Sequence, residues 1–211
     1  MRRPKNVRGK IIVRNREPLS CERVVALTIE LIDRHGIEDV SLRSVARELG
    51  VQTPSLYHHF ESKDALLAQA ARALLTEAPM PVHKSEDWRE SLLQLSIDVR
   101  RVILRHPRCA PLLLRYFPRE TVLPGYDRTF GWITTPPDLR IVVAEAVEKF
   151  TFGSALFAAA AAASGRSDLP RFDPVQHPNI AAALEANTRD EEEIFIEALR
   201  RMLWSFPDAD S

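Results

Sequence analysis

Residues 41–60, SLRSVARELGVQTPSLYHHF, decide how the chain is read. The first half has the pattern of a short helix. Ser41 can cap it, Leu42, Val45, Ala46 and Leu49 recur on one helical face, and Gly50 can end it in a left-handed conformation. Thr53-Pro54 then reads as an N-cap with proline at the first position of a second short helix, over about 54–59. The pair, joined by a turn at Gly50-Val51, predicts a helix-turn-helix. Ala46 is small where the helices must cross, and Val51 and Leu56 are apolar where the second rests on the first. Thr53, Ser55, Tyr57, His58 and His59 are left for the outer face and the end.

Hydroxyls, a phenol and imidazoles on a short projecting helix suit the major groove of DNA, where polar side chains reach base edges and phosphates. The same corner could serve only for packing, with Tyr57 laid on the first helix. His58 and His59 do not read as a metal pair, because neighbours on a helix diverge by about 100°. Phe60 reads as a core plug.

Outward from this stretch the pattern is helical throughout, and the predicted class is all-α. Ser20 caps a first helix with Val24, Val25, Thr28, Ile29 and Ile32 on one face, ended by Gly36. Ser62 opens a helix to about Glu77, and a further helix covers about 87–106 until Pro107 stops it. Pro79 and Pro81 bracket a polar break that suggests a domain boundary. A shorter helix is expected over 112–116, and only a brief one between Pro118 and Pro137. Residues 138–163, with six consecutive alanines at 158–163, predict a helix that packs closely or simply has high helix propensity. Residues 164–178 read as a loop. The last helix follows Asp190, with acids in its first turn and Arg200 and Arg201 in its last.

Charge adds a clue that composition hides. The 211-residue chain has 29 basic and 29 acidic residues, yet residues 1–18 hold Arg2, Arg3, Lys5, Arg8, Lys10, Arg14 and Arg16 against Glu17. Such an arm suits a polyanion or forms a solvated tail. Cys21 and Cys109 have no metal or redox spacing, and His106 with Cys109 lacks a third ligand at metal spacing. A reducing, cytoplasmic location with no membrane span and no cofactor is expected. No phosphate-binding glycine loop, nucleophile elbow or His-Glu zinc motif points to an enzyme.

The longer stretch SLRSVARELGVQTPSLYHHFESKDALL, 41–67, closely resembles the DNA-binding domain of the tetracycline-repressor (TetR) family of bacterial transcriptional regulators. PLSCERVVALTIELIDRHGIEDV ahead of it looks like that family's first helix, and HPNIAAAL (177–184) with IFIEALRRMLWSF looks like its C-terminal domain. The resemblance implies a flexible arm (1–18), a three-helix DNA-binding head (19–65) and a helical ligand-binding and dimerisation body (66–207). It implies a homodimer formed through helices at about 138–163 and 190–206 that reads an inverted-repeat operator in double-stranded DNA. A small-molecule effector would release it, making it a repressor; the alternative is a helical interaction protein or enzyme without DNA binding.

By that resemblance Arg43 contacts DNA, Thr53, Pro54 and Ser55 meet base edges and thymine methyls, and Tyr57 and His59 contact phosphate. His58 faces the groove beside them, and Lys63 reaches a phosphate. The groups that hold tetracycline and its metal in the founding repressor do not line up, since Leu113 and Glu77-Ala78 stand where polar ligands would be needed. A largely apolar effector is expected instead. His106, Leu113, Tyr116, Phe117, Phe130, Trp132, Phe150 and Phe157 are candidates to line its pocket, or else plain core.

Overall fold

A computed structural model describes residues 19–78, 85–165 and 171–209. The described residues are helical with no strand, in agreement with the all-α reading. The basic arm, Pro79, Pro81 and residues 166–170 lie outside them.

Four helices precede the Pro79–Pro81 break: α1 (Cys21–His35), α2 (Leu42–Leu49), α3 (Thr53–Tyr57) and α4 (Lys63–Thr76). Three of them start on serine caps. Ser20, Ser41 and Ser62 accept from the backbone N–H groups of Arg23, Ser44 and Ala65, each satisfying a donor that the first turn leaves open. Their inward faces meet in one core with Val24, Ile32, Val45, Leu56, Phe60 and Leu66. That core continues into later segments through Ile103, Cys109, Leu112, Leu113, Ala155 and Ala159, so the head rests on the body through apolar surface.

The body holds α5 (Trp88–Arg105), a 3-10 turn (Pro107–Cys109), α6 (Ala110–Arg115), α7 (Arg119–Trp132), α8 (Pro137–Ser164), α9 (Pro178–Ala186) and α10 (Glu191–Trp204). Its own core gathers Trp88, Leu93, Ile133, Val143, Leu199 and Leu203 from α5, α8, α10 and the end of α7. At 28 residues α8 is about 42 Å long and spans both cores. Ala155 and Ala159 are fully buried against the first core, so part of the alanine-rich segment does serve close packing.

Two expectations need correction, and one segment gains a structure. The recognition helix begins at Thr53 with Gln52 as its N-cap, and no side chain caps it, so Thr53 is inside the helix and its hydroxyl is not spent on the cap. Between Pro118 and Pro137 there is a continuous 14-residue helix, α7, with Pro124 inside it. The carbonyl that Pro124 deprives of a partner belongs to Glu120, in the first turn, so the break falls where the helix is only beginning. HPNIAAAL forms the helix α9, which buries none of its residues and exposes Ile180 and Leu184.

Candidate nucleic-acid interface

The turn between α2 and α3 is set by Gly50. It adopts φ 66°, ψ 34°, a left-handed conformation that suits a residue without Cβ. Its N–H donates to Arg47 O at 3.1 Å while Val51 N–H donates to Ala46 O at 3.0 Å, the paired bonds of a Schellman ending. The chain thereby turns sharply, and α3 packs against α2, whose Ala46 is buried.

Among α3 residues Leu56 is the buried one, fully covered, with Phe60 just beyond at 4% exposure. Every other α3 side chain is wholly or half exposed. Tyr57 is 56% exposed, which excludes the reading that lays it on the first helix. Pro54 and His58 are exposed, Thr53 and Ser55 half-exposed, and Arg43 stands exposed on α2. One helix thus presents hydroxyl, phenol and imidazole groups outward, anchored from below by one leucine.

Two of the expected contact residues have partners within the protein. His59 lies beside α1, with Nδ1 3.5 Å from Cys21 Sγ. Lys63 donates from Nζ to the Ile37 carbonyl oxygen at 3.3 Å, bracing the loop after α1.

Behind the interface, polar contacts tie the head to the body. Asp33 of α1 receives His106 Nδ1 at 2.5 Å and the Cys109 thiol at 3.7 Å; that thiol also reaches Ile29 O at 3.8 Å. Burial, then the Asp33 carboxylate, push the Cys109 thiol well above the ordinary range. Arg108 donates to Arg34 O at 2.6 Å, and Arg105 to Glu77 of the α4 terminus at 3.2 Å. The Tyr116 hydroxyl donates to Asp64, and that bond raises its pKa. His106 and Cys109, which lack a third ligand at metal spacing in the sequence, are joined by Asp33, 73 and 76 positions away. Nothing in the sequence marks that meeting. Among the described residues no group of three or more His, Cys, Asp or Glu is arranged to hold a metal.

The eight candidate pocket residues do not converge on one cavity. Leu113 is buried in the first core, Trp132 is buried in the second, and Phe150 stacks on Phe195 at 5.5 Å. Phe117 meets Phe152 edge-on at 5.2 Å, Phe130 is half-buried, and Phe157 is 81% exposed on α8. His106 and Tyr116 are engaged at the head–body junction. Aromatic residues fill cores and lone surface positions as readily as cavities, so residue type alone does not place them in a pocket.

The body also holds a buried polar cluster that nothing in the sequence pattern marks. Arg100 on α5 is 1% exposed; it donates to Glu191 and to Ser154 Oγ (3.1 Å), and lies 4.9 Å from the Phe195 ring. Those contacts tie α5 to α8 and α10. The Thr151 hydroxyl on α8 is buried with no partner among the described residues.

These features define a helix-turn-helix protein whose small head is set on a larger helical body. The chain belongs to the tetR family of bacterial regulatory proteins: that family's model matches residues 24–78, and the tetracyclin repressor-like C-terminal domain matches 80–204. An HTH-type transcriptional regulator of Saccharopolyspora erythraea is 34% identical over 99 residues, 47% of this chain and 42% of that one. The chain thus spans less than half the length of that relative. The class D tetracycline repressor protein of Escherichia coli is 28% identical over 197 residues, 89% of each chain. Among solved structures, the Streptomyces coelicolor TetR family protein ActR in complex with actinorhodin superposes with a TM-score of 0.70. It is 21% identical and the match covers 90% of this chain and 98% of that one, a likeness of fold. No helix among the described residues is long and apolar enough to cross a membrane.

Proposed function

We propose that the protein is a ligand-responsive transcriptional repressor that binds an inverted-repeat operator as a homodimer. The observation that carries the reading is α3 itself: one buried leucine below, and Thr53, Ser55, Tyr57 and His58 turned outward. Thr53, Pro54 and Ser55 would read base edges and thymine methyls, with His58 beside them. Arg43 and Tyr57 would hold phosphates, which fix register without carrying sequence. His59 and Lys63 would contribute by leaving their partners Cys21 and Ile37 when DNA arrives.

The proposed dimer face lies on α8 and α10. Its support is apolar surface: Ile141, Val142 and Phe157 are exposed on α8, and Ile194 and Trp204 on α10. Large exposed apolar side chains on two long helices suit burial against a second copy. The effector is proposed to be a small, largely apolar molecule that acts on the body. Movement would reach the head through α4 and the contacts at Asp33, Asp64 and Glu77. Support for a small-molecule response comes from the relatives named as tetracycline repressors and from the neighbour solved with actinorhodin.

Selection of bound sequences from a random duplex pool tests the reading. Enrichment of an inverted repeat, with half-sites one helical turn apart or a multiple of it, is expected. A pool with no enriched sequence would remove the operator-binding function.

A further inference from the structure

A cleft of about 790 Å³ opens between α1 and α4, reaching His106 at the end of α5. Val25, Ala26 and Ile29 line it from α1, Ala65 and Ala73 from α4, and Phe60 from the end of the recognition segment. The volume is in the range of small-molecule sites, and polar and charged side chains ring the apolar floor.

Charge on the rim selects what fits. Glu22, Glu30, Glu61 and Glu77 line the cleft, against Arg72. Two of the four are engaged, Glu30 by Arg34 at 2.9 Å and Glu77 by Arg105 at 3.2 Å. Glu22 and Glu61 form no ion pair among the described residues, and both are exposed near Cys21 and His59. The Glu22 carboxyl is held below its ordinary range by its own backbone N–H and by Ser20, which keeps it ionised. Arg72 lies nine residues along α4 from Lys63, a rise of about 14 Å from the end of the helix that Glu61 precedes.

We infer that the α1–α4 cleft is a binding site for a small lipophilic cation, its apolar body on Val25, Ala26, Phe60 and Ala65 and its positive charge between Glu22 and Glu61. His106 of the body also lines the cleft, so the occupant touches head and body together. The site does not depend on the DNA-binding reading, and its test uses no DNA.

The test is calorimetric titration of the full chain with tetraphenylphosphonium, and with tetraphenylborate, an anion of the same shape. The cation binds once per chain and at least tenfold more tightly than the anion. The exposed double variant Glu22→Gln/Glu61→Gln weakens the cation about tenfold, and Ala26→Trp, which fills the cleft, abolishes binding. Saturating cation slows alkylation of the exposed Cys21 by iodoacetamide. Equal affinity for both ions, unchanged affinity in either variant, or Cys21 alkylated at the same rate with and without the cation overturns the inference.

Discussion

Replacing Leu56 with alanine removes the anchor beneath α3. A five-residue helix has no stability of its own, since isolated helices below about 12–15 residues are marginal in water. The docking of α3 therefore rests on side-chain burial, and Leu56 is fully covered. Leu→Ala at a fully buried site costs about 2–5 kcal/mol. At about 3 kcal/mol the equilibrium for docking falls by about 150-fold. Phe60 still holds the end of the segment, so the rest of the head keeps its core. The expected result is operator affinity reduced at least tenfold by fluorescence anisotropy, while far-UV circular dichroism keeps its helical amplitude. If Leu56→Ala lowers the melting temperature but binds the selected duplex within twofold of the parent, α3 is not the reading element.

The other predictions concern separate parts of the molecule. Tyr57→Ala changes an exposed side chain, so stability should move by no more than about 0.5 kcal/mol while operator affinity falls; a denaturant melt beside an anisotropy titration checks both. Iodoacetamide should label one thiol in the folded protein, Cys21, and two after unfolding, since Cys109 is 1% exposed and its pKa is raised. That raised pKa also fixes a sign. The unfolded thiol loses its proton above about pH 8.5 while the folded one keeps it, so stability falls with rising pH by up to about 1.4 kcal/mol per pH unit. Cys109→Ala should remove that component of the slope in denaturant melts taken across alkaline pH. Arg100→Ala should lower stability by about 3 kcal/mol, because it strips the α5–α8–α10 junction of a buried guanidinium and its contacts; a melt within about 1 °C of the parent contradicts that role.

What the sequence made legible were the local devices. Ser20, Ser41 and Ser62 each cap the helix expected after them, and Gly36 and Gly50 end theirs, whereas the cap expected at Thr53 is absent. Capping chemistry acts within four residues, so a linear reading captures it. The core plug at Phe60 and the outward face of α3 follow from the same short range. Longer-range facts were not available in this way. Prolines and glycines hid α7, because Pro124 looks the same whether it breaks a helix or sits in its first turns. Asp33 meeting His106 and Cys109, and Arg100 meeting Glu191 across 91 positions, depend on how helices cross. The aromatic residues of 100–160 scattered for the same reason: residue type gives burial tendency, and only the fold decides which cavity or core receives each side chain.

The proposed dimer places two copies of α3 in successive major grooves of one duplex. A spin label at position 48, exposed on α2 and outside the proposed DNA contacts, in a Glu48→Cys protein with Cys21 replaced by serine, reports the separation of the two heads by pulsed dipolar spectroscopy. In the complex with the selected duplex, one narrow distance is expected, set by half-sites about 35 Å, one helical turn of DNA, or a multiple apart. A protein that gives no dipolar signal, or a distribution that the duplex leaves unchanged, contradicts it.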